Sequence, residues 1–361
     1  MNRYREKLWY LLNSTPLIGP VSTARLLEYA GDIEELTELS PDDIRRSGIL
    51  DDRMLASWMS TMARRQELFD EYDECEGRGI HFLSMEHEDY PQRLRNIPQP
   101  PYGISYIGRN PSAYEGCAAV IGARGCTDYG REIAYRIAQE LGKQGICVVS
   151  GMAAGIDTAS HWGCLDAGCA SIAVLGGGVD DCYPAGNRRL YDKLCREGTV
   201  ISEQPMGMPP LPNNFRQRNR LISGLADCVI VAEARKKSGT QITVTYALDQ
   251  GRDVFCVPGR ITDVLSSGCN DMIAQGAQIV CSVETILDYF GVGRENDKAP
   301  VLTQKEQKVA ECLDCGPLHI DALCAVSGMM IDELMELLTI MEIRKIVVRQ
   351  PGGYYRMAAH I

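Results

Sequence analysis

The chain runs to 361 residues, 45% hydrophobic and 24% charged, a length beyond one typical domain and a composition that excludes a disordered or low-complexity protein. Residues 1–9 are basic but lead into no apolar h-region, and no stretch reaches the roughly eighteen consecutive apolar residues of a membrane helix, so a cytoplasmic protein is expected. A formal net charge of −11 is the wrong sign for phosphate contacts over the whole surface, yet from Arg216 to Arg260 eight basic residues stand against four acidic ones (Asp227, Glu233, Asp249, Asp253), a locally positive stretch.

Residues 1–75 read as a small all-α module. Apolar spacing marks helices at 8–12 and 21–29, turns fall at Leu17-Ile18-Gly19-Pro20 and Gly31, and Ser40-Pro41 opens a further helix. The Leu-Ile-Gly-Pro turn fits a helix-hairpin-helix that offers backbone amides to a DNA phosphate; a packing bundle like a sterile alpha motif fits it equally. Residues 76–112 carry Tyr90-Pro91, Pro98 and Pro100-Pro101 and read as a proline-rich linker and lead-in, because proline opposes helix and ladder alike.

From 113 to 292 short apolar runs (118–121, 147–149, 172–175, 200–201, 229–231, 254–257) alternate with helical stretches at 131–141 and 158–167. That alternation predicts an α/β domain, a parallel sheet wound with helices in Rossmann-like fashion. Polar residues 293–300 close it. Residues 301–358 then predict helices at 304–313, 320–327 and 331–341, a strand at Ile346-Val347-Val348, and a turn and strand through Gly352-Gly353-Tyr354-Tyr355, the order of a winged helix-turn-helix. Its would-be recognition helix carries Asp332, Glu333 and Glu336, the wrong sign for a major-groove reader, so a protein-contact or regulatory module is expected, with Ile331, Leu334, Leu338 and Met341 forming its own core.

The fifteen cysteines are odd in number, and most sit in apolar runs (Cys147, Cys228, Cys256, Cys281), which points to reduced thiols acting as small hydrophobes. Cys312-x-x-Cys315 with Cys324 is the one metal-like pattern, but no fourth ligand follows at finger or ribbon spacing, and no metal is expected.

The glycines show where chemistry could occur. Gly122-Ala-Arg124-Gly-Cys-Thr-Asp-Tyr-Gly130 follows an apolar strand and precedes a helix, the place where open α/β sheets bind ligands. Glycine lets amides approach a phosphate and Arg124 supplies a fork to pair with it. The same arrangement recurs at Ser150-Gly151-Met-Ala-Ala-Gly155-Ile-Asp157 and at Gly176-Gly177-Gly178-Val-Asp180, so three loops converge on one sheet edge and favour an anionic ligand. There is no G-x-x-x-x-G-K-[ST], no G-x-G-x-x-G with an acidic residue about twenty positions on, no G-x-S-x-G and no H-E-x-x-H, which disfavours an ATPase, an NAD enzyme, a hydrolase of the elbow type and a zinc protease; no cofactor is expected. The histidines form no acid-base constellation, and His161 is read as a packing or cap residue.

The segment Phe215-Arg216-Gln217-Arg218-Asn219-Arg220 is the sharpest signal. Forked guanidiniums suit a phosphate backbone and Phe215 offers a base platform; in an extended lead-in the alternate arginines would point one way. Arg235-Lys236-Lys237-Ser238-Gly239-Thr240, after another apolar strand, again offers cations, hydroxyls and a glycine.

The strings G-A-R-x-x-x-x-Y-G (122–130), S-G-M-A-x-G-I-D (150–157), L-G-G-G-V-D-x-x-Y-P-x-x-N (175–187), S-E-x-P-x-G (202–207), R-N-R-L-I-S-G-L (218–225) and G-R-D-V-F-x-V-P-G (251–259) together resemble the DNA-processing protein A (DprA, or Smf) family over the whole central domain, with Tyr90-Pro91 and the final Gly-Gly-Tyr-Tyr resembling its flanks. The resemblance implies an extended Rossmann fold that binds single-stranded DNA without sequence preference, forms a homodimer, and loads the RecA recombinase in natural transformation, with no catalytic residue. Carried over by position, it implies a phosphate and base pocket from Gly122, Arg124, Ser150, Gly151, Gly155, Asp157, Gly177, Asn187, Phe215, Arg218, Asn219 and Arg220, joined by Lys236, Lys237, Ser238 and Thr243. The chain departs from the family in Arg216, where proline commonly follows the phenylalanine, and in Val244, where alanine commonly follows the threonine. The alternative is an enzyme of the lysine-decarboxylase-like group that cleaves nucleoside monophosphates; that group resembles P-G-G-x-G-T-x-x-E, whereas this glycine run continues as Val179-Asp180-Asp181-Cys182. A nucleotide-sensing scaffold without a DNA role is a third reading, and it would assign no value to the arginines at 218 and 220.

Overall fold

A computed structural model describes residues 2–292, 302–314, 316–344 and 346–358. The chain divides into two compact units at Thr285/Ile286.

The first unit opens with six helices: α1 (Arg3–Asn13), α2 (Pro20–Ala30), α3 (Ile33–Glu38), α4 (Pro41–Ser47), α5 (Asp52–Ala63) and α6 (Arg65–Gly77). Local chemistry sets their starts. Asp32 and Asp51 cap α3 and α5, Ser40 and Asp43 form a reciprocal capping box on α4, and prolines occupy the first turns of α2 and α4. Their core gathers Leu8, Trp9, Leu26, Ile33, Leu36 and Trp58, and it also takes in Phe82.

Phe82 belongs to the sheet, which corrects the linker expected over 76–112. Two strands lie there, β1 (Ile80–Ser84) and β2 (Gly103–Gly108), with the short helix α7 (Gln92–Arg95) between them. The prolines fall outside both strands, at 91, 98, 100 and 101 between them and at 111 after β2, so they break the connections and leave both ladders intact. The join to the helices is tight: the Ser84 hydroxyl donates to Glu6 Oε1 at 2.8 Å, Arg5 pairs with Glu86, and Trp9 stacks on Tyr102 at 5.7 Å.

The remaining strands are β3 (Cys117–Ile121), β4 (Cys147–Ser150), β5 (Ser171–Val174), β6 (Thr199–Ser202), β7 (Cys228–Val231), β8 (Asp253–Cys256) and β9 (Gln278–Ile279). Between them run α8 (Asp128–Lys143), α9 (Ile156–Asp166), α10 (Arg188–Glu197), α11 (Pro212–Leu225), α12 (Thr240–Asp249) and α13 (Ser267–Ala274). The sheet order is β1-β2-β6-β5-β4-β3-β7-β8-β9, with β1 and β2 antiparallel and the rest parallel. The strands from β3 to β7 are wholly buried, as expected of a parallel sheet covered on both faces. Strand order grows outward from β3 to β6 and then returns through α11 to β7 on the other side of β3, which places the topological switch point between β3 and β7. Ile121 pairs with Val231, so the two strands end level and their loops start side by side.

Helix α14 (Glu284–Tyr289) crosses the division. The second unit then holds α15 (Gln304–Leu313), β10 (Leu318–His319), α16 (Ile320–Ser327), α17 (Ile331–Ile343), β11 (Val347–Gln350) and β12 (Tyr354–Met357), a winged helix with strand order β10-β12-β11. Thr303 and Glu306 box the start of α15, and Leu334, Leu338 and Met341 of α17 enter the core. Ile331 does not: it is 43% exposed, one helical step outside the buried face. The closing stretch expected at 293–300 lies outside the described residues, as does Cys315; among the described residues no group of three histidine, cysteine or acidic side chains could hold a metal ion, and no helix is long and apolar enough to cross a membrane.

Candidate nucleic-acid interface

A groove of about 820 Å³ opens at the switch point, over the carboxyl ends of β3, β4 and β7. Its cationic lining is Arg124, Arg216, Arg218, Arg235 and Lys237, against one carboxylate, Asp157, among the described residues. In a protein of net charge −11 that segregation is the dominant electrostatic feature of the site.

One face of α11 builds the floor. Phe215, Arg218, Asn219 and Ile222, spaced by three and four residues, all line the groove. Two guanidiniums lie over the Phe215 ring, Arg124 at 5.6 Å and Arg218 at 5.8 Å from its centroid, and Tyr183 packs on it at 5.3 Å and 41°. Gly176 beneath makes room for the ring, since a Cβ there would stand 2.8 Å from Phe215 Cδ1. An aromatic face flanked by cations suits a stacked base with its phosphate close by.

The two arginines differ in kind. Arg124 is exposed on the loop after β3, free to reach a ligand. Arg218 is only 4% exposed; its Nη1 donates to Gly151 O at 2.9 Å and to Val174 O, while its Nε has no partner among the described residues. Burial lowers the Arg218 pKa to about 10 against the pull of Asp157. Burial likewise pushes the Asp157 carboxyl up, opposed by Arg218 and by N–H donors from Gly151 and Ala153 at 3.2 and 3.4 Å. Arg218 is therefore a buried strut joining the ends of β4 and β5, with one edge facing the groove.

The loop after β3 is shaped from β7. The Thr127 N–H and hydroxyl donate to the Glu233 carboxylate at 2.8 and 2.5 Å, the Ala123 N–H donates to Glu233 O at 2.8 Å, and Thr127 in turn caps α8 at Gly130. On the far wall α12 begins without a side-chain cap, with Gly239, Thr240 and Gln241 lining the groove; an open helix N-terminus beside Lys237 favours an anion. Ser238 Oγ there is buried with no hydrogen-bond partner among the described residues.

The sequence placed sixteen residues in one pocket, and the structure sorts them. Gly122, Arg124, Asp157, Phe215, Arg218 and Asn219 line the groove, as do Lys237, Ser238 and Thr243. Gly151 and Gly155 lie just under it: a Cβ on Gly151 would meet Arg218 at 2.6 Å, and one on Gly155 would meet Ala123 O at 2.4 Å. The others are corrected by their contacts. Ser150 is buried and donates to Val120 O, and Asn187 braces the β4–α9 loop through Met152 O and Thr158 Oγ1. Gly177 is buried beneath the chain at Met208, so the third glycine loop is closed to ligand. Lys236 pairs with Asp271 at 2.9 Å. Arg220 is the clearest departure: it is buried in a two-point ion pair with Glu203 at 2.9 and 2.5 Å. The segment is helical from Pro212, so the arginines step around an axis instead of alternating along a strand. Arg235 and Gly176, read with their loops, join the groove and its floor, and Tyr183 and Glu233 complete the site without having been singled out for it; the aromatic after a glycine loop and the acid closing an apolar strand were their only signals.

A Rossmann-like domain with a cationic, aromatic-floored groove at its switch point, followed by a winged helix, defines a class of nucleic-acid-handling α/β proteins. Residues 81–291 match the DNA recombination-mediator protein A family and residues 294–353 match the DprA winged helix domain. The chain belongs to the DNA recombination-mediator protein A family, whose members are DNA-processing proteins. It is 33% identical over 317 residues to the Protein Smf of Synechocystis, covering 86% of this chain and 77% of that one, and 40% identical over 208 residues to the DNA processing protein DprA of Streptococcus pneumoniae, covering 58% and 73%. The X-ray structure of the Streptococcus pneumoniae protein superposes with a TM-score of 0.67 at 34% identity, covering 77% of this chain and 95% of that one. DNA processing protein A of Helicobacter pylori, solved for its single-stranded DNA binding mode, superposes with a TM-score of 0.54 at 26% identity over 58% of this chain and 95% of that one.

Proposed function

We propose that this protein binds single-stranded DNA without sequence preference, in the groove at the β3–β7 switch point, and loads the RecA recombinase onto incoming strands during natural transformation, acting as a cytoplasmic homodimer and not as an enzyme. The observation that carries the reading is the Phe215 ring with the Arg124 and Arg218 guanidiniums over it, in a groove lined by five cations and one carboxylate among the described residues. Cations track a phosphate backbone, a ring accepts any base, and neither selects sequence. The Helicobacter pylori relative's single-stranded DNA binding mode supports it. The acidic residues of α17, with Asp332 and Glu336 exposed and Glu333 half-buried and paired with Lys305, suit the winged helix to a protein contact better than to a duplex.

The test is fluorescence anisotropy of labelled oligo-dT and of a matching duplex over a salt series, comparing wild type with Arg124→Ala plus Lys237→Ala, two exposed cations whose loss leaves the core intact. Wild type should prefer the single strand, and the double variant should bind weaker with a salt slope shallower by roughly 1.4, about 0.7 for each lost single-strand phosphate contact. Equal slopes, or a wild type indifferent to DNA, would overturn the reading and turn attention to nucleoside monophosphates as ligands and substrates.

A further inference from the structure

Helix α9 ends in a turn fixed by two crossing hydrogen bonds. The Cys169 N–H donates to Cys164 O at 3.2 Å and the Gly168 N–H to Leu165 O at 3.1 Å. With Ala167 at the cap and Gly168 at φ 79°, this is a Schellman motif, in which the side chains of the third residue from the helix end and the second beyond the cap meet. That contact is ordinarily apolar, and here both positions are cysteine. The two sulfurs converge on one carbonyl, Cys169 Sγ at 3.7 Å and Cys164 Sγ at 4.0 Å from Ile146 O. Helix α8 holds the turn from outside: a Cβ on Gly142 would stand 2.9 Å from Ala167 Cβ and 3.3 Å from Cys169 Cβ.

The two thiols differ in access. Cys164 is 0% exposed, whereas Cys169 is partly exposed. The Cys164 thiol donates to Ala170 O at 3.3 Å, and its nearness, with the Ala170 backbone and Arg109, lowers the Cys169 pKa to about 7, so of the two it is Cys169 that ionises more readily. Elsewhere Cys117 and Cys147, paired across β3 and β4, and Cys256 and Cys269 are buried at both members, out of reach of an oxidant.

We propose that Cys169 and Cys164 are a reversible oxidation site for hydroperoxides, Cys169 being the thiol that reacts and Cys164 the thiol that resolves. The Cys169 thiolate attacks one oxygen of hydrogen peroxide; the O–O bond breaks, the leaving hydroxide is protonated to water, and Cys169 becomes a sulfenic acid. Cys164 Sγ then attacks Cys169 Sγ, the S–O bond breaks, and the second water leaves with the Cys164 proton. Two thiols lose two electrons and two protons, and one peroxide becomes two waters. Because the Schellman turn holds the resolving thiol beside it, the disulfide closes before a second peroxide can carry Cys169 on to the irreversible sulfinic acid.

The full chain is treated with hydrogen peroxide, its remaining thiols are alkylated, and it is cut before aspartates, which separates 157–165, holding Cys164, from 166–179, holding Cys169. The two fragments should run joined, lighter than their sum by two hydrogens, and part on reduction. In Cys164→Ser the 166–179 fragment should instead gain oxygen, and in Cys169→Ser the 157–165 fragment should remain a free thiol. Unlinked wild-type fragments, or Cys169 joined to some other cysteine, would overturn the proposal, and that wild-type digest decides the matter even if a serine variant fails to fold.

Discussion

His161 is wholly buried on α9, and its surroundings fix its chemistry. The Ser171 hydroxyl donates to Val148 O at 2.6 Å, so at 2.7 Å it can only accept from His161 Nδ1, which leaves Nε2 as a bare acceptor with no partner among the described residues. Protonating Nε2 would place a charge in the core near Arg218, and burial first, then Arg218, lowers the pKa from 6.5 to about 3. Between those values the unfolded chain binds the proton and the folded chain does not, so stability is full above pH 6.5 and falls as pH drops. The loss should reach about 2 kcal/mol from pH 7 to pH 5. Urea melts of wild type and His161→Asn, whose amide can still donate to Ser171, check this: the variant is less stable at pH 7 but flatter in pH, and parallel pH slopes would refute the assignment. The same environment marks the limit of what residue type can convey. Arg124, Arg218 and Arg220 look alike in sequence, yet one is exposed, one is a buried strut and one is locked to Glu203, because only tertiary packing decides which carbonyl or carboxylate a guanidinium meets.

At the level of elements, the central strands were legible because a parallel strand covered on both faces is a continuous apolar run bounded by glycine, and β3 to β8 fall within a residue or two of such runs. Strands β1 and β2 were hidden by prolines lying between them, and α11 was taken for an extended lead-in because alternating arginines imitate a strand's period while Pro212 at its first turn went unweighed. The loop glycines were legible as necessary without revealing what they accommodate. Gly155 sits at φ 84°, and a Cβ there would fall 2.4 Å from Ala123 O and 2.5 Å from Arg124 O, backbone atoms that can yield only by moving the loop that carries Arg124. Gly155→Ala should therefore cost about 1–3 kcal/mol in strain and also weaken binding of oligo-dT, although it removes no charge. Urea melts and anisotropy on the same preparation test this, and a variant that is destabilised yet binds as wild type would separate the loop from the groove.

On the scale of the whole molecule, the chain concentrates charge and core differently in its two units. The first carries the helical and sheet cores and the groove; the second has its own core around Leu323, Leu334, Leu338 and Tyr355. Two cores without shared buried residues should give two calorimetric transitions. A ligand that binds only the native groove stabilises the unit that holds it, by about 2.7 kcal/mol at a hundredfold excess over Kd. Saturating oligo-dT should therefore raise one transition and leave the other in place, the larger enthalpy belonging to the one that moves, because residues up to 285 far outnumber those after it. High salt should abolish the shift without altering the unmoved transition if, as proposed, the stabilisation rests on phosphate contacts to the groove cations Arg124, Arg235 and Lys237 and not on either core. Movement of the smaller transition alone would put the single-stranded DNA site on the winged helix despite the acidic α17, and equal movement of both would mean that the strand engages both units.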